Sequence, residues 1–139
     1  MAGNLNLEIE GLEEFERDLM KAINKSPTEA RTTLRKTANA FRKSAKKRTP
    51  DSGIAHEKKL KKKYGVKIKE KGVDMTALVY NSAPHYHLVE RGHNLVKNGK
   101  TIGFVTGQHM MEKTKNEFEG IVPEEFEKMI DKVLREERL

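Results

Sequence analysis

Residues 26–53 read SPTEARTTLRKTANAFRKSAKKRTPDSG, and they contain one helix together with its start and stop signals. Ser26 supplies a hydroxyl for the N-cap, Pro27 takes the first helical position, where a missing N–H costs nothing, and Glu29 completes the pattern of a capping box. Ala30, Leu34, Thr37/Ala38, Phe41 and Ala45 then recur at helical spacing to about Arg48. Arg31, Arg35, Lys36, Arg42, Lys43, Lys46 and Lys47 occupy much of the remaining surface. Pro50 disfavours helix at Thr49, and Gly53 permits a positive φ, so the helix stops there. Small residues at several apolar positions let such a helix lie close against a sheet. That feature fixes the expected architecture.

Upstream, Leu12, Phe15, Leu19, Ala22 and Ile23 form one stripe of a shorter amphipathic helix over residues 12–24, with acids in its first turns. Downstream, IAHEKKLKKKYG shows no apolar period, and residues 54–63 read as a mobile basic loop. YGVKIKE and VDMTALVYN alternate with period two around a Glu-Lys-Gly turn, the pattern of an antiparallel strand pair. Asn98-Gly99 lies between two further β-rich runs and predicts a second hairpin. A helix is expected from Met110 through Phe118, with a break near Gly120–Pro123 and a restart carrying Phe126, Met129, Ile130, Val133 and Leu134. These elements predict one α+β domain over residues 1–139: an antiparallel β-sheet packed against the long helix of the N-terminal half, with C-terminal helices.

The charge is unevenly distributed. The net +7 gathers between Arg31 and Lys71, where 16 Lys/Arg face three acids, while residues 1–30 and 112–139 are net acidic. A basic centre suits nucleic acid, or the acidic surface of a neighbouring copy, or simply a solvated face. Arg42, Lys43, Lys46, Lys47, Lys58, Lys59, Lys61, Lys62 and Lys63 are the candidates for facing DNA. Few aromatics accompany them, and no named DNA-reading motif appears. No run of apolar residues is long enough to span a membrane, and the acidic N-terminus lacks the order of a signal peptide. With no cysteine, a disulfide framework and a thiolate metal site are both excluded.

The densest chemistry lies in SAPHYHLVERGHN, residues 82–94. On an extended strand, His85 and His87 would project from the same side as two ligands of a zinc site, with His93 or His109 third and Glu90 as base or ligand. Neither spacing fixes the third ligand, however, and Pro84 with Gly92 suggests a bent path. The competing reading is a polar corner or subunit contact. No nucleophile elbow or phosphate loop is present, so no catalytic residue is assigned and no cofactor is expected. A metallo-hydrolase and a basic nucleic-acid-binding protein remain as alternative functions.

Three motifs carry a resemblance: Pro50, Asp51, Ser52 and Gly53; then Ala83, Pro84, Val89, Glu90 and Gly92; then Gly103, Phe104, Val105, Gly107, His109 and Met110. With the closing helices, they make the chain resemble the siphophage neck or tail-completion proteins, the gene-ten-like phage tail-component family. The chain departs from that pattern in three places: Pro50 abuts Asp51 directly, a polar, Lys-rich stretch replaces the leucine that often follows Gly53, and Thr106 stands where proline is common. The resemblance implies a virion protein without catalysis, made in the host cytoplasm. Its copies would form a ring at the head–tail junction or the tail end, with other connector or tail proteins as partners and DNA passing non-specifically. It also implies that Glu90 and Arg91 are polar anchors and that residues 85–92 form a structural corner.

Overall fold

The computed structural model describes residues 12–50, 60–71 and 74–135. Asp51, Ser52, Gly53, Lys58 and Lys59, with most of the expected basic loop, lie outside the described residues. Two helices open the fold, α1 (Leu12–Lys25) and α2 (Pro27–Arg48), separated by Ser26 alone. The Ser26 hydroxyl accepts from the Glu29 N–H at 3.3 Å, as a cap should. The reciprocal half of the capping box is not made. The Ser26 N–H donates instead to the Ala22 carbonyl at 2.9 Å, which frees the Glu29 carboxylate to pair with Lys132 at 3.2 Å.

Strands β1 (Tyr64–Lys71) and β2 (Asp74–Asn81) pair antiparallel, with Val66 opposite Val79 and Ile68 opposite Ala77. A six-residue helix, α3 (Tyr86–Arg91), follows and leads directly into β3 (Gly92–Lys97). Strand β3 pairs with β4 (Lys100–Thr106) in a separate two-stranded sheet. Asn98 and Gly99 both take positive φ at its tip, 52° and 76°, as a tight right-twisted hairpin requires. Helix α4 (Met110–Ile130) closes the fold and passes into a π-helical turn, Asp131–Arg135.

Three expectations need correction. Residues 60–62 are helical, and Leu60 is fully buried, so the chain has rejoined the body before Tyr64. The Asn81 amide holds the re-entry by donating to the Leu60 carbonyl at 2.8 Å. The C-terminal helix does not break at Pro123, which sits inside α4. A helical proline leaves the carbonyl four residues back unpaired, here that of exposed Glu119, where water can satisfy it. Buried residues on both sides of the proline, Phe118 before it and Met129 and Ile130 after it, hold the two halves in line. Finally, residues 86–91, expected as an irregular corner, form a short helix.

Helix α4 packs along α2, and the core has two ends. At one, Ala22, Ala30, Met129, Ile130 and Val133 are buried together, with Phe15, Leu19 and Phe126 against them. At the other, Ala45, Leu60, Tyr64, Ala83 and Met110 are buried. Between them the Phe41 and Phe118 rings meet at 5.2 Å and 57°, a tilted aromatic contact.

Candidate functional site

The second and third sequence motifs meet at the start of α4. The Gln108 N–H donates to the Val89 carbonyl at 2.8 Å, and the His109 N–H to the Glu90 carbonyl at 3.0 Å. This brings two backbones into direct contact. A Cβ on Gly107 would lie 2.4 Å from the Arg91 carbonyl carbon and 2.5 Å from the Glu90 oxygen. Gly92 has φ +86°, and a Cβ there would stand 2.3 Å from the Val105 oxygen. Only glycine fits either position.

Above this crossing the Glu90 side chain caps α4. Its carboxylate accepts from the Met111 N–H at 2.9 Å and the Glu112 N–H at 3.4 Å, donors that an N-terminal turn leaves without partners. The local N-cap, His109, is left-handed at φ 49° and makes no side-chain cap. Its Nδ1 instead faces Glu112 at 2.9 Å. Placed at a helix N-terminus, the Glu90 carboxylate also meets the favourable end of the dipole.

Glu90 is fed by a line of hydroxyls. The Tyr86 hydroxyl donates to Glu90 Oε1 at 2.9 Å, and the Tyr64 hydroxyl donates to Tyr86 at 3.2 Å. The Thr49 hydroxyl, which also lies 2.9 Å from the Ala45 carbonyl, sits 2.7 Å from Tyr64. A carboxylate can only accept, so it sets the direction of the line. The two rings meet edge to face at 5.7 Å. Burial pushes the Tyr86 phenol well above its ordinary range, helped by Tyr64 and the nearby Glu90 charge. Burial raises Tyr64 as well. The line ties the end of α2, the start of β1, α3 and the start of α4 to one acceptor.

The histidines do not converge. His85 precedes α3 and His87 lies within it, and residues two apart on a helix point about 200° apart, so the shared side required for a His-x-His pair is absent. His93 bonds its neighbour Asn94 through Nδ1 at 3.1 Å. Among the described residues, no group of three or more His, Asp or Glu stands close enough to hold a metal ion. Pro84 is exposed just ahead of α3, and half-buried Val89 contributes the carbonyl of the crossing. Gly103 and Phe104 belong to the projecting hairpin, where Phe104 is 62% exposed and a Cβ on Gly103 would meet nothing within 4 Å. Pro50 follows the end of α2.

The basic residues divide into committed and outward-facing sets. Arg31 forms a two-pronged pair with Glu70, which holds that carboxyl below its ordinary range. Arg48 pairs with Glu117 at 2.8 Å and donates to buried Thr114 at 3.0 Å. Ser44 and Arg48 together keep the Glu117 carboxyl low. Between these flanks Lys43, Lys46 and Lys47 are exposed, with Arg42 half-buried beside them. Thr28, Arg31, Thr32, Arg35, Lys36 and Asn39 line an open groove further along the same helix. Lys62 and Lys63 are exposed and Lys61 half-buried at the chain re-entry. No helix among the described residues is long and apolar enough to cross a membrane.

This is a small mixed helix-and-sheet domain in which the motif residues hold backbone together. Over residues 13–92 the chain matches the family model described as "Bacteriophage HK97-gp10, putative tail-component", and with more than half its length covered it belongs to that family. No curated protein and no solved structure matches it. The matched region ends at the crossing itself, so Gly107 and Glu90, which depend on one another, fall on opposite sides of that limit. Sequence reading missed Tyr64 and Tyr86, whose only signal was a pair of tyrosines beside apolar positions.

Proposed function

We propose that this chain is a non-enzymatic structural component of a siphophage neck or tail-completion complex, joining a closed ring of copies through which DNA passes. Family membership supports a phage tail component. The observation that carries the finer reading is the outward charge on α2. Arg31 and Arg48 are held by acids at its flanks, while Lys43, Lys46 and Lys47 stand exposed between them on one rigid helix. Phosphate contacts from such a face carry no base readout, which suits a channel that must pass any sequence. The chemically capable groups at the motif crossing already serve the fold: Glu90 caps a helix, and both tyrosines donate toward it. The protein then works in the virion, at the head–tail junction or the tail end, beside other connector or tail proteins.

The test is binding to the head and tail components of its own phage, with complex mass followed by light scattering. Capture into a ring-sized complex supports the reading, and failure to bind any of them overturns it. The same lysines also favour a second reading, a non-specific duplex-binding protein outside the virion. Tight duplex binding at near-physiological salt, without affinity for any virion component, selects that alternative.

A further inference from the structure

Above its base at Gly92 and Gly107, the β3–β4 hairpin is exposed along its length. Every residue of β4 is exposed, including Ile102 at 59%, Phe104 at 62% and Val105 at 41%, and on β3 Leu95 and Val96 are 46% and 59% exposed. A lone two-stranded hairpin is marginal in water, and an apolar open edge is a template for another strand. Strand β3 is entered directly from α3, so the freer edge is that of β4.

One segment of this chain matches that edge in pattern and in charge. Residues 4–10, NLNLEIE, lie outside the described residues and alternate strictly: Leu5, Leu7 and Ile9 against Asn4, Asn6, Glu8 and Glu10. Alternation of this kind is the signature of a half-buried strand. The segment carries two acids and no base, whereas residues 91–106 carry Arg91, Lys97 and Lys100 and no acid.

The placement of α1 bears on which copy supplies the segment. Phe15 packs into the cluster around Met129, Ile130 and Val133, and Asp18 pairs with Arg135 at 3.2 Å. That places the beginning of α1 beside the far end of α4. The hairpin is rooted at the near end, where Gly92 and Gly107 cross just before Met110. Nineteen residues of helix separate Met110 from Met129, about 28 Å at 1.5 Å per residue. If residues 4–10 are used as a strand, only Gly11 remains to bridge back to α1, a reach of about 3.5 Å. The root of the hairpin thus lies far along α4 from the start of α1, which favours a neighbouring copy's segment over the chain's own.

We infer that residues 4–10 of one copy pair along β4 of a neighbouring copy as a third strand, an exchange that links successive copies. The inference deepens the ring reading by naming the contact, and it rests on that reading for the presence of neighbours. Because the donor segment and the acceptor edge are different surfaces, the exchange can run head-to-tail from copy to copy, the type of contact that closes into a ring, as the ring reading requires.

The chain has no cysteine, so introduced ones report a single contact. Full-length Leu5→Cys, Leu7→Cys and Ile9→Cys are each mixed with Phe104→Cys under mild oxidation, alone and with the phage's tail components present. Asn116→Cys on α4 serves as the control acceptor. A disulfide-linked pair of chains, stronger with Phe104→Cys than with Asn116→Cys, supports the exchange. A link found only inside one chain, in the Leu7→Cys/Phe104→Cys double variant, overturns it. Assembly with tail components but no link at any of the three positions also overturns it and leaves the tail-component reading intact. Neither assembly nor link removes both.

Discussion

The base and the tip of the same hairpin have opposite fates. At the base, Gly92 and Gly107 bring two backbones together under a carboxylate that caps α4. A few residues away, Val96, Ile102 and Phe104 are each more than half exposed, although the Phe104 ring tip reaches back beside Gly92. Both regions use glycine, for different reasons: Gly107 because a side chain has no room, and Gly99 because the tip turn needs φ +76° in open space. Apolar character alone therefore does not place a residue inside. What stands on the other side of it does, and among the described residues the base is far better covered than the arm.

Alanine substitutions at the glycines test this contrast most sharply. Gly107→Ala and Gly92→Ala put a Cβ into backbone atoms that cannot swing aside, and each should cost roughly 3 kcal/mol or more, enough to unfold a marginal domain. Gly99→Ala meets nothing but takes a left-handed residue, so a cost of about 1 kcal/mol is expected. Gly103→Ala should be close to neutral. Chemical denaturation of the four variants gives the order, and equal effects at Gly103 and Gly107 would dissolve the distinction between base and arm.

Glu90 comes next. Glu90→Ala removes a helix cap worth about 1–2 kcal/mol and leaves the Tyr86 hydroxyl without its acceptor. Glu90→Gln keeps an accepting oxygen and should recover much of the loss, short by the charge–dipole part of about 0.3–1 kcal/mol. Should Ala and Gln prove equivalent, the bond to Met111 is not what Glu90 contributes.

The tyrosines give the pH dependence. Both phenols are raised in the folded state, so the folded chain retains protons that the unfolded chain releases near pH 10. Stability from this source is complete below that pH and falls as the pH rises through it. Ultraviolet titration should show Tyr64 and Tyr86 ionising late and together with unfolding. Tyr86→Phe should flatten the alkaline loss, and an unchanged profile would remove the hydroxyl line as its cause.

Much of the helix and strand framework was legible because each element carried its own signal: the Ser26 and Pro27 start, the period-two strands, and Asn98-Gly99. The site was legible in composition but not in geometry. Glu90 was marked as a polar anchor, yet its target lies 21 residues away at Met111, which no local pattern reveals. Helix α3 was missed because six residues are too few for an amphipathic period, and Pro84 with Gly92 imitates an irregular path. Pro123 suggested a break because its local cost is real, but burial at Phe118 and Ile130 outweighs it. Leu60 was concealed by the lysines around it.

The smallest expected effect lies at the arm. Phe104→Ser removes a side chain that is 62% exposed and reaches Gly92 with its ring tip but is not among the buried core residues, so stability should fall by no more than about 0.5–1 kcal/mol. An interior phenylalanine cut to a small residue would cost about 3–5 kcal/mol instead. The pair of measurements separates two meanings of an exposed phenylalanine. If the isolated chain loses little stability while its assembly with other proteins or further copies weakens, a neighbouring chain supplies the missing half of the hairpin's core. If the isolated chain loses several kcal/mol, the hairpin folds back on its own body in solution, and its base and tip are not two regions but one.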